Sequence, residues 1–225
     1  MDSRIPELKE EWGERAKHLG KSKRSVLFKR FPAWLNNRIH RKHRDFVLGN
    51  LPDTMSSMLD VGCGYGRISR EVRNIHPNVS IHGVELCEEF SIAFGEEFND
   101  CFTGSIQGFQ SPRCYDAIVV VTVLMYLNRD ELVPIVEKYW SMLSPGGVMV
   151  CIEPAIEILK IWRQLTGRAF ASPTGGSVFH FEKNELKNLF ASLDNSMIAA
   201  DMSVQLVPGV EFLSLHHGFA VRKRH

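Results

Sequence analysis

The residues best suited to chemistry stand together in the run Leu59-Asp60-Val61-Gly62-Cys63-Gly64-Tyr65-Gly66-Arg67. Glycines at alternate positions let the backbone turn tightly and approach a ligand where a Cβ would collide. A strand that ends in such a loop is a nucleotide cradle. The spacing is G-x-G-x-G with an Asp two residues before the first glycine, and not the G-x-G-x-x-G that presents a helix N-terminus to a pyrophosphate. A carboxylate at Asp60 repels a diphosphate and suits a cationic ligand, which disfavours a nicotinamide oxidoreductase. Nineteen residues after Gly66 comes Glu85, closing the segment Gly83-Val84-Glu85. At the end of a second strand that carboxylate can accept both hydroxyls of a ribose.

These groups need a sheet to hold them. Short apolar or β-branched runs predict strands at 58–61, 80–85, 100–103, 117–121 and 148–152, with two more near 199–207 and 213–222. Between them, helical patterns cover 68–75, 88–98, 129–143, 155–166 and 182–193, and Ser144-Pro145-Gly146-Gly147 is expected to stop a helix and turn into the next strand. Residues 172–177, Ser-Pro-Thr-Gly-Gly-Ser, read as a mobile loop. Strands alternating with helices, and written as continuous apolar runs, mean an α/β, Rossmann-like, doubly wound parallel sheet covered on both faces. Ahead of it, 5–51 has a helical rhythm broken at Gly20 and Pro32, giving two or three short helices. The organisation expected is one domain at 53–225 with a basic helical extension at 1–52.

Composition excludes several classes. Of 225 residues 44% are hydrophobic and 24% charged, enough to bury a core and too apolar for disorder. The longest apolar run, 117–127, is too short to span a bilayer, and the charged opening MDSRIPELKEEWGER lacks the apolar centre of a secretory signal, so a cytoplasmic location is expected. Five cysteines without C-x-x-C spacing argue against structural zinc and a disulfide framework, and no metal site is expected. Charge is unevenly spread: 11 of the 27 Lys and Arg lie in residues 15–44, which contain no acid, leaving 16 against all 26 Asp and Glu elsewhere.

The four landmarks LDVGCGYGR, GVE, YDAIVVVTVLMYL and LSPGG, in that order, resemble those of the class I S-adenosylmethionine-dependent methyltransferases. The resemblance covers about residues 58–152 and more loosely the rest. It implies a seven-stranded sheet of order 3-2-1-4-5-7-6 with strand seven antiparallel, and S-adenosylmethionine as cofactor, left as S-adenosylhomocysteine. By position, Asp60 and the backbone of Gly62 would orient the methionine part, with Cys63 and Arg67 in the same loop and Gly64 and Gly66 making room for the ligand. Glu85 would hold the ribose hydroxyls, Leu86 would pack on adenine, and the Val121 carbonyl would meet its amino group. Where the family often places an acid after strand three, this chain has Gly104-Ser105-Ile106-Gln107, so Ser105 is a weaker acceptor and Ile106 supplies packing and an N–H. Cys63 reads as a small buried residue and not a nucleophile.

Methyl transfer from a sulfonium is an in-line displacement, so the enzyme mainly aligns the acceptor and excludes water; a base is needed only for a hydroxyl or a protonated amine. Tyr126, Glu153 and His180 follow strands four and five, where ligands of open α/β sheets bind, and are the candidates for that base. His216 and His217 alternate across the last strand, so at most one faces the site. The resemblance also narrows the acceptor: Val121-Thr122-Val123-Leu124 lacks the Asn/Asp-Pro-Pro-aromatic element of members that methylate exocyclic amines, and no cysteine pair is placed for attack on pyrimidine C5. The basic extension admits three readings, a solvated helical face, a lid, or a platform for an anionic partner, and the lid is favoured. The function expected is methyl transfer to an oxygen or nitrogen of a small anionic or hydroxylated acceptor in biosynthesis. The alternatives are an RNA methyltransferase using the basic segment and a non-catalytic cofactor-binding subunit.

Overall fold

In the computed structural model, residues 4–29, 31–98, 100–155, 178, 180–210 and 213–225 are described. Three helices come first, α1 (Ile5–Leu19), α2 (Lys23–Val26) and α3 (Ala33–Leu48). Then β1 (Ser57–Val61), α4 (Ser69–Ile75), β2 (Ser80–Glu85), α5 (Glu88–Phe98), β3 (Cys101–Thr103) and β4 (Tyr115–Val121) alternate. A 3₁₀ turn at Leu124–Tyr126 leads to α6 (Arg129–Ser141), β5 (Leu143–Pro154), α7 (Lys183–Ala191), β6 (Ser196–Gln205) and β7 (Ser214–Lys223). The sheet order is β3-β2-β1-β4-β5-β7-β6, with β7 antiparallel to both neighbours, as the resemblance implies. The helix expected at 155–166 and the loop at 172–177 lie outside the described residues apart from Ala155.

Because strand side chains alternate between faces, each apolar run supplies two cores. Leu59, Val61, Ile118, Val120, Met149, Cys151 and Phe219 pack under α6 and α7. Met58, Ala117, Val119, Val148, Val150 and Ala220 pack under α3, α4 and α5, so α3 of the extension covers the sheet directly through Val47. Two smaller cores complete the extension: Trp12 and Ala16 of α1 and Val26 of α2 with Phe90 and Ala93 of α5, and Leu27 with Leu35 and Ile39 of α3 against Val204 and Leu215 of the last two strands.

One local expectation needs correction. Residues 144–147 do not precede β5 but lie within it, because Leu143 already pairs with Tyr115 before the register shifts and Ala117 pairs with Val148. The extra residues form a bulge, with Gly146 at φ 79° absorbing the reversal that the sequence assigned to a turn. Gly66 stands outside the cavity lining, and packing requires its glycine. At φ 84° it takes a conformation L side chains avoid, and a Cβ there would stand 2.6 Å from the Phe98 ring of α5.

Substitution of Gly66 by Ala is therefore expected to cost about 2 kcal/mol or more of stability through combined strain and overpacking. Gly95→Ala, in α5 with open space around its Cα, should gain about 1 kcal/mol from helix propensity. Urea unfolding of the two variants checks both signs.

Candidate active site

The site forms where β1, β2 and β4 end. After β1 the chain turns across the end of β2: the N–H groups of Gly62 and Cys63 donate to the Val84 carbonyl at 2.7 and 3.1 Å. The next N–H, of Gly64, donates to Glu85 Oε2 at 2.8 Å, while Glu85 Oε1 accepts from Cys87 N at 2.8 Å. One carboxylate thus ties the glycine loop to the start of α5. Asp60 Oδ2 accepts the Ser69 hydroxyl at 2.6 Å, fixing β1 to the first turn of α4. Both carboxylates are buried, and burial raises their pKa values, Asp60 to about 6 and Glu85 to about 7, against the hydrogen bonds that oppose it.

Between these groups lies a cavity with about 980 Å³ of atom-free space, counting its open mouth. Asp60, Gly62, Cys63, Gly64, Arg67, Glu85, Leu86, Ser105, Ile106 and Val121 all line it, so the structure gathers every expected cofactor residue except Gly66. The carboxylates are incompletely compensated, and Leu86, Ile106 and Val121 form an apolar wall beside them. A ligand with a cationic end, ribose hydroxyls and a planar base fits that donor set.

Residues 58–147 match a family model described as a methyltransferase domain. The chain is 26% identical over 165 residues to a tRNA N(3)-methylcytidine methyltransferase of Schizosaccharomyces pombe, which covers 66% of this chain and 65% of the relative. A probable polyamine aminopropyl transferase of Bifidobacterium longum is 29% identical over 112 residues, 44% of this chain and 24% of that one. The chain thus spans less than two thirds of each of these curated relatives. The fold is similar to a SAM-dependent methyltransferase structure from Leishmania major, at TM-score 0.69 and 18% identity, over 96% of this chain and 82% of the other. The N-methyltransferase NodS of Bradyrhizobium japonicum, in complex with S-adenosyl-L-homocysteine, gives a TM-score of 0.64 and 14% identity, over 96% and 99%.

Residues 58–147 thus match a methyltransferase domain, on a fold shared with these methyltransferase structures.

Several parts of this site come from residues the sequence did not single out. Ile5, Leu8 and Trp12 of α1 and Val26 of α2 line the same cavity. Lys138 of α6 donates to the carbonyls of Ile106, Gln107 and Phe109 at 2.6, 3.1 and 3.0 Å, and the Tyr139 hydroxyl donates to Ile106 O at 2.9 Å. Those bonds fix the loop after β3 that carries Ser105 and Ile106. Thr122, at the end of β4 and on the cavity wall, has φ 60°, a conformation that costs about 1–3 kcal/mol for a non-glycine residue. A strained backbone leaves no trace in residue type, whereas the apolar face of α1 was visible as periodicity without an address.

The three base candidates are placed differently. Tyr126 lines the cavity, its ring edge-on to Trp12 at 6.0 Å, and burial pushes its pKa up. Glu153 is fully buried and does not line the cavity. Its Oε1 accepts the N–H groups of Val123 and Leu124 at 3.0 and 2.8 Å, its Oε2 that of Met125 at 3.2 Å, and burial lifts its pKa to about 8. It anchors the turn that carries Tyr126. His180 is half-buried with its pKa lowered by burial, and the Phe181 N–H to Pro154 O bond of 3.0 Å places it beyond the end of β5, outside the cavity lining.

Of the paired histidines, His216 turns toward α3, edge-on to His43 at 4.7 Å and against Phe28, while His217 Nδ1 meets the Ser203 hydroxyl at 3.1 Å. Neither lines the cavity. Arg67 reaches toward the same side, donating to His40 Nδ1 at 2.9 Å, and the other His40 nitrogen donates to Glu71 at 3.0 Å. Burial holds His40 near pKa 4 and His216 near 3, so both are neutral at pH 7.

A cationic ligand requires Asp60 and Glu85 ionised. Since burial raises both pKa values, affinity for S-adenosylmethionine should be greatest above pH 8 and weaken as pH falls through 7 toward 6, by up to about tenfold per unit for each group protonated. Calorimetric titration from pH 8.5 to 5.5 checks this, and Glu85→Gln should flatten the part of the profile near pH 7.

Proposed function

We propose that the protein transfers the methyl group of S-adenosylmethionine to an oxygen or nitrogen of a small acceptor that binds under the amino-terminal helices. The observation that carries this reading is the roof: Ile5, Leu8, Trp12 and Val26 close over the cavity, and Trp12 meets Tyr126 from across it. A long polymer has less use for such a roof.

The cofactor supplies an electrophilic methyl group; the residues of the chain have to hold, align and dry the reactants. Asp60 and Glu85 hold the cofactor through its cationic end and its ribose. The apolar residues of α1 exclude water from the in-line path. Tyr126, keeping its proton because burial disfavours the phenolate, orients the acceptor as a hydrogen-bond partner. Glu153 fixes the turn beneath Tyr126, while His180 stands outside the cavity lining.

The basic extension supports the lid reading through what its charges touch. Lys17 lies 3.7 Å from Glu89 and Lys21 3.0 Å from Glu96, both acids of α5. Arg15 donates to the Leu27 carbonyl at 2.8 Å, and Arg38 to the Leu206 carbonyl at 2.9 Å. Exposed pairs of this kind contribute little energy, so apolar packing carries the docking and the charges set its register. One observation favours a second reading, the 26% identity to a tRNA methyltransferase, in which the remaining bases, Lys29, Arg41 and Lys42 among them, would contact phosphates.

Cofactor carrying a labelled methyl group, incubated with the protein and a cell extract split into small-molecule and RNA fractions, separates the two. Label should enter the small-molecule fraction, and Asp60→Ala or Glu85→Ala should cut the rate about 10- to 100-fold through lost charge-assisted contacts. Trp12→Ala should raise the acceptor KM about tenfold. Label found only in RNA, with binding that weakens steeply as salt rises, would replace this reading with the second.

A further inference from the structure

Two thiols stand in near contact beside the cofactor loop. Cys63 Sγ and Cys101 Sγ are 3.8 Å apart, the first buried in the glycine loop, the second half-exposed at the start of edge strand β3. What lets them meet is Gly83, the partner of Cys101 in the β2–β3 ladder. A Cβ on Gly83 would lie 2.8 Å from Cys63 Sγ and 3.0 Å from Cys101 Sγ, so a side chain there would part them.

We propose that Cys63 and Cys101 form a reversible disulfide with hydrogen peroxide as oxidant, and that this bond and a filled cofactor loop oppose one another. The second half rests on the methyltransferase reading, since it is Cys63 that lines the cofactor cavity.

The two sulfurs have different parts. Cys101 is reachable from solvent, and hydrogen bonds from the Cys63 thiol and the Ser91 hydroxyl favour its thiolate, lowering its pKa. Burial pushes Cys63 the other way. The Cys101 thiolate attacks one peroxide oxygen; the O–O bond breaks and the departing hydroxide takes a proton to become water, leaving a sulfenic acid. Cys63 sulfur then attacks Cys101 sulfur, the S–O bond breaks, and the departing hydroxide leaves as water with the Cys63 proton. Two thiols and one peroxide become one disulfide and two waters, and a dithiol reductant reverses the oxidation.

Closing 3.8 Å to the roughly 2.05 Å of an S–S bond draws Cys63 toward β3. Its neighbours Gly62 and Gly64 are held to Val84 and Glu85, so the pull is transmitted to the carboxylate expected to hold the ribose. By linkage, a ligand that favours the open dithiol loop must also resist oxidation of the pair.

The test uses the full chain, reduced, then exposed to hydrogen peroxide with and without S-adenosylhomocysteine, digested without reductant and read by mass spectrometry. The expected result is a linked Cys63–Cys101 peptide that forms more slowly with ligand present. Calorimetry on the oxidised protein should show affinity for S-adenosylhomocysteine reduced about tenfold and restored by dithiothreitol. Cys101→Ser should form no such link and keep its affinity after peroxide, while Cys114→Ser, at an exposed and separate thiol, should respond as the parent does. Oxidation at other cysteines without the linked peptide would overturn the proposal, as would a link whose rate and whose effect on affinity are independent of ligand. A reduced protein that binds no S-adenosylhomocysteine would defeat the functional reading instead, and the linked peptide would still decide whether the pair closes.

Discussion

Three buried carboxylates stand at the carboxyl edge of the sheet, Asp60 near the end of β1, Glu85 at the end of β2 and Glu153 near the end of β5, and each holds the chain segment beside it. Asp60 takes the hydroxyl of Ser69, Glu85 the N–H groups of Gly64 and Cys87, and Glu153 those of Val123, Leu124 and Met125. Parallel strands leave all their following loops at one edge, and those loops have no ladder to order them. Buried acceptors supply the order, at a desolvation cost seen in the raised pKa values of all three. The same cost makes Asp60 and Glu85, which face the cavity, receptive to a cationic partner. Glu153 accepts backbone N–H groups at both oxygens and lies outside the cavity lining.

Positioning at a distance follows the same logic. The loop after β3 lacks the acid common in the family, and its carbonyls are held from behind by Lys138 and Tyr139 of α6. This side of the cavity wall is therefore set by packing and backbone direction more than by side-chain acceptors. On the opposite side, Arg67 links the glycine loop to α3 through His40, so the extension supports the cofactor loop from beneath as well as roofing it through α1. Disturbing α3 should thus reach the cofactor without touching it.

Much of the fold could be read from local pattern. The bounds of β2 and α5 coincide with the apolar runs and turn residues that predicted them, because a short strand or helix is decided by side-chain period and by the residues that break it. The bulge in β5 could not be read this way. Ser-Pro-Gly-Gly breaks a helix in any context, but whether the chain then turns or bulges depends on Tyr115 already standing opposite Leu143. Gly66 illustrates a similar limit, since its glycine is required by Phe98, thirty-two positions onward.

The sequence by itself determined the alternation of strands and helices, the glycine loop with its two flanking acids, the nineteen-residue step from Gly66 to Glu85, and hence the class of cofactor. All of these are encoded within a few residues of one another, where backbone period and loop chemistry act directly. Only the tertiary structure decided which basic residues are spent on internal contacts, that Trp12 meets Tyr126, that Glu153 holds the backbone of the turn after β4, and that Cys63 and Cys101 share the space a Gly83 side chain would fill. Those contacts join residues from about 30 to over 100 positions apart, and their distances follow from how helices cross the sheet, a quantity that no local pattern of residue types contains.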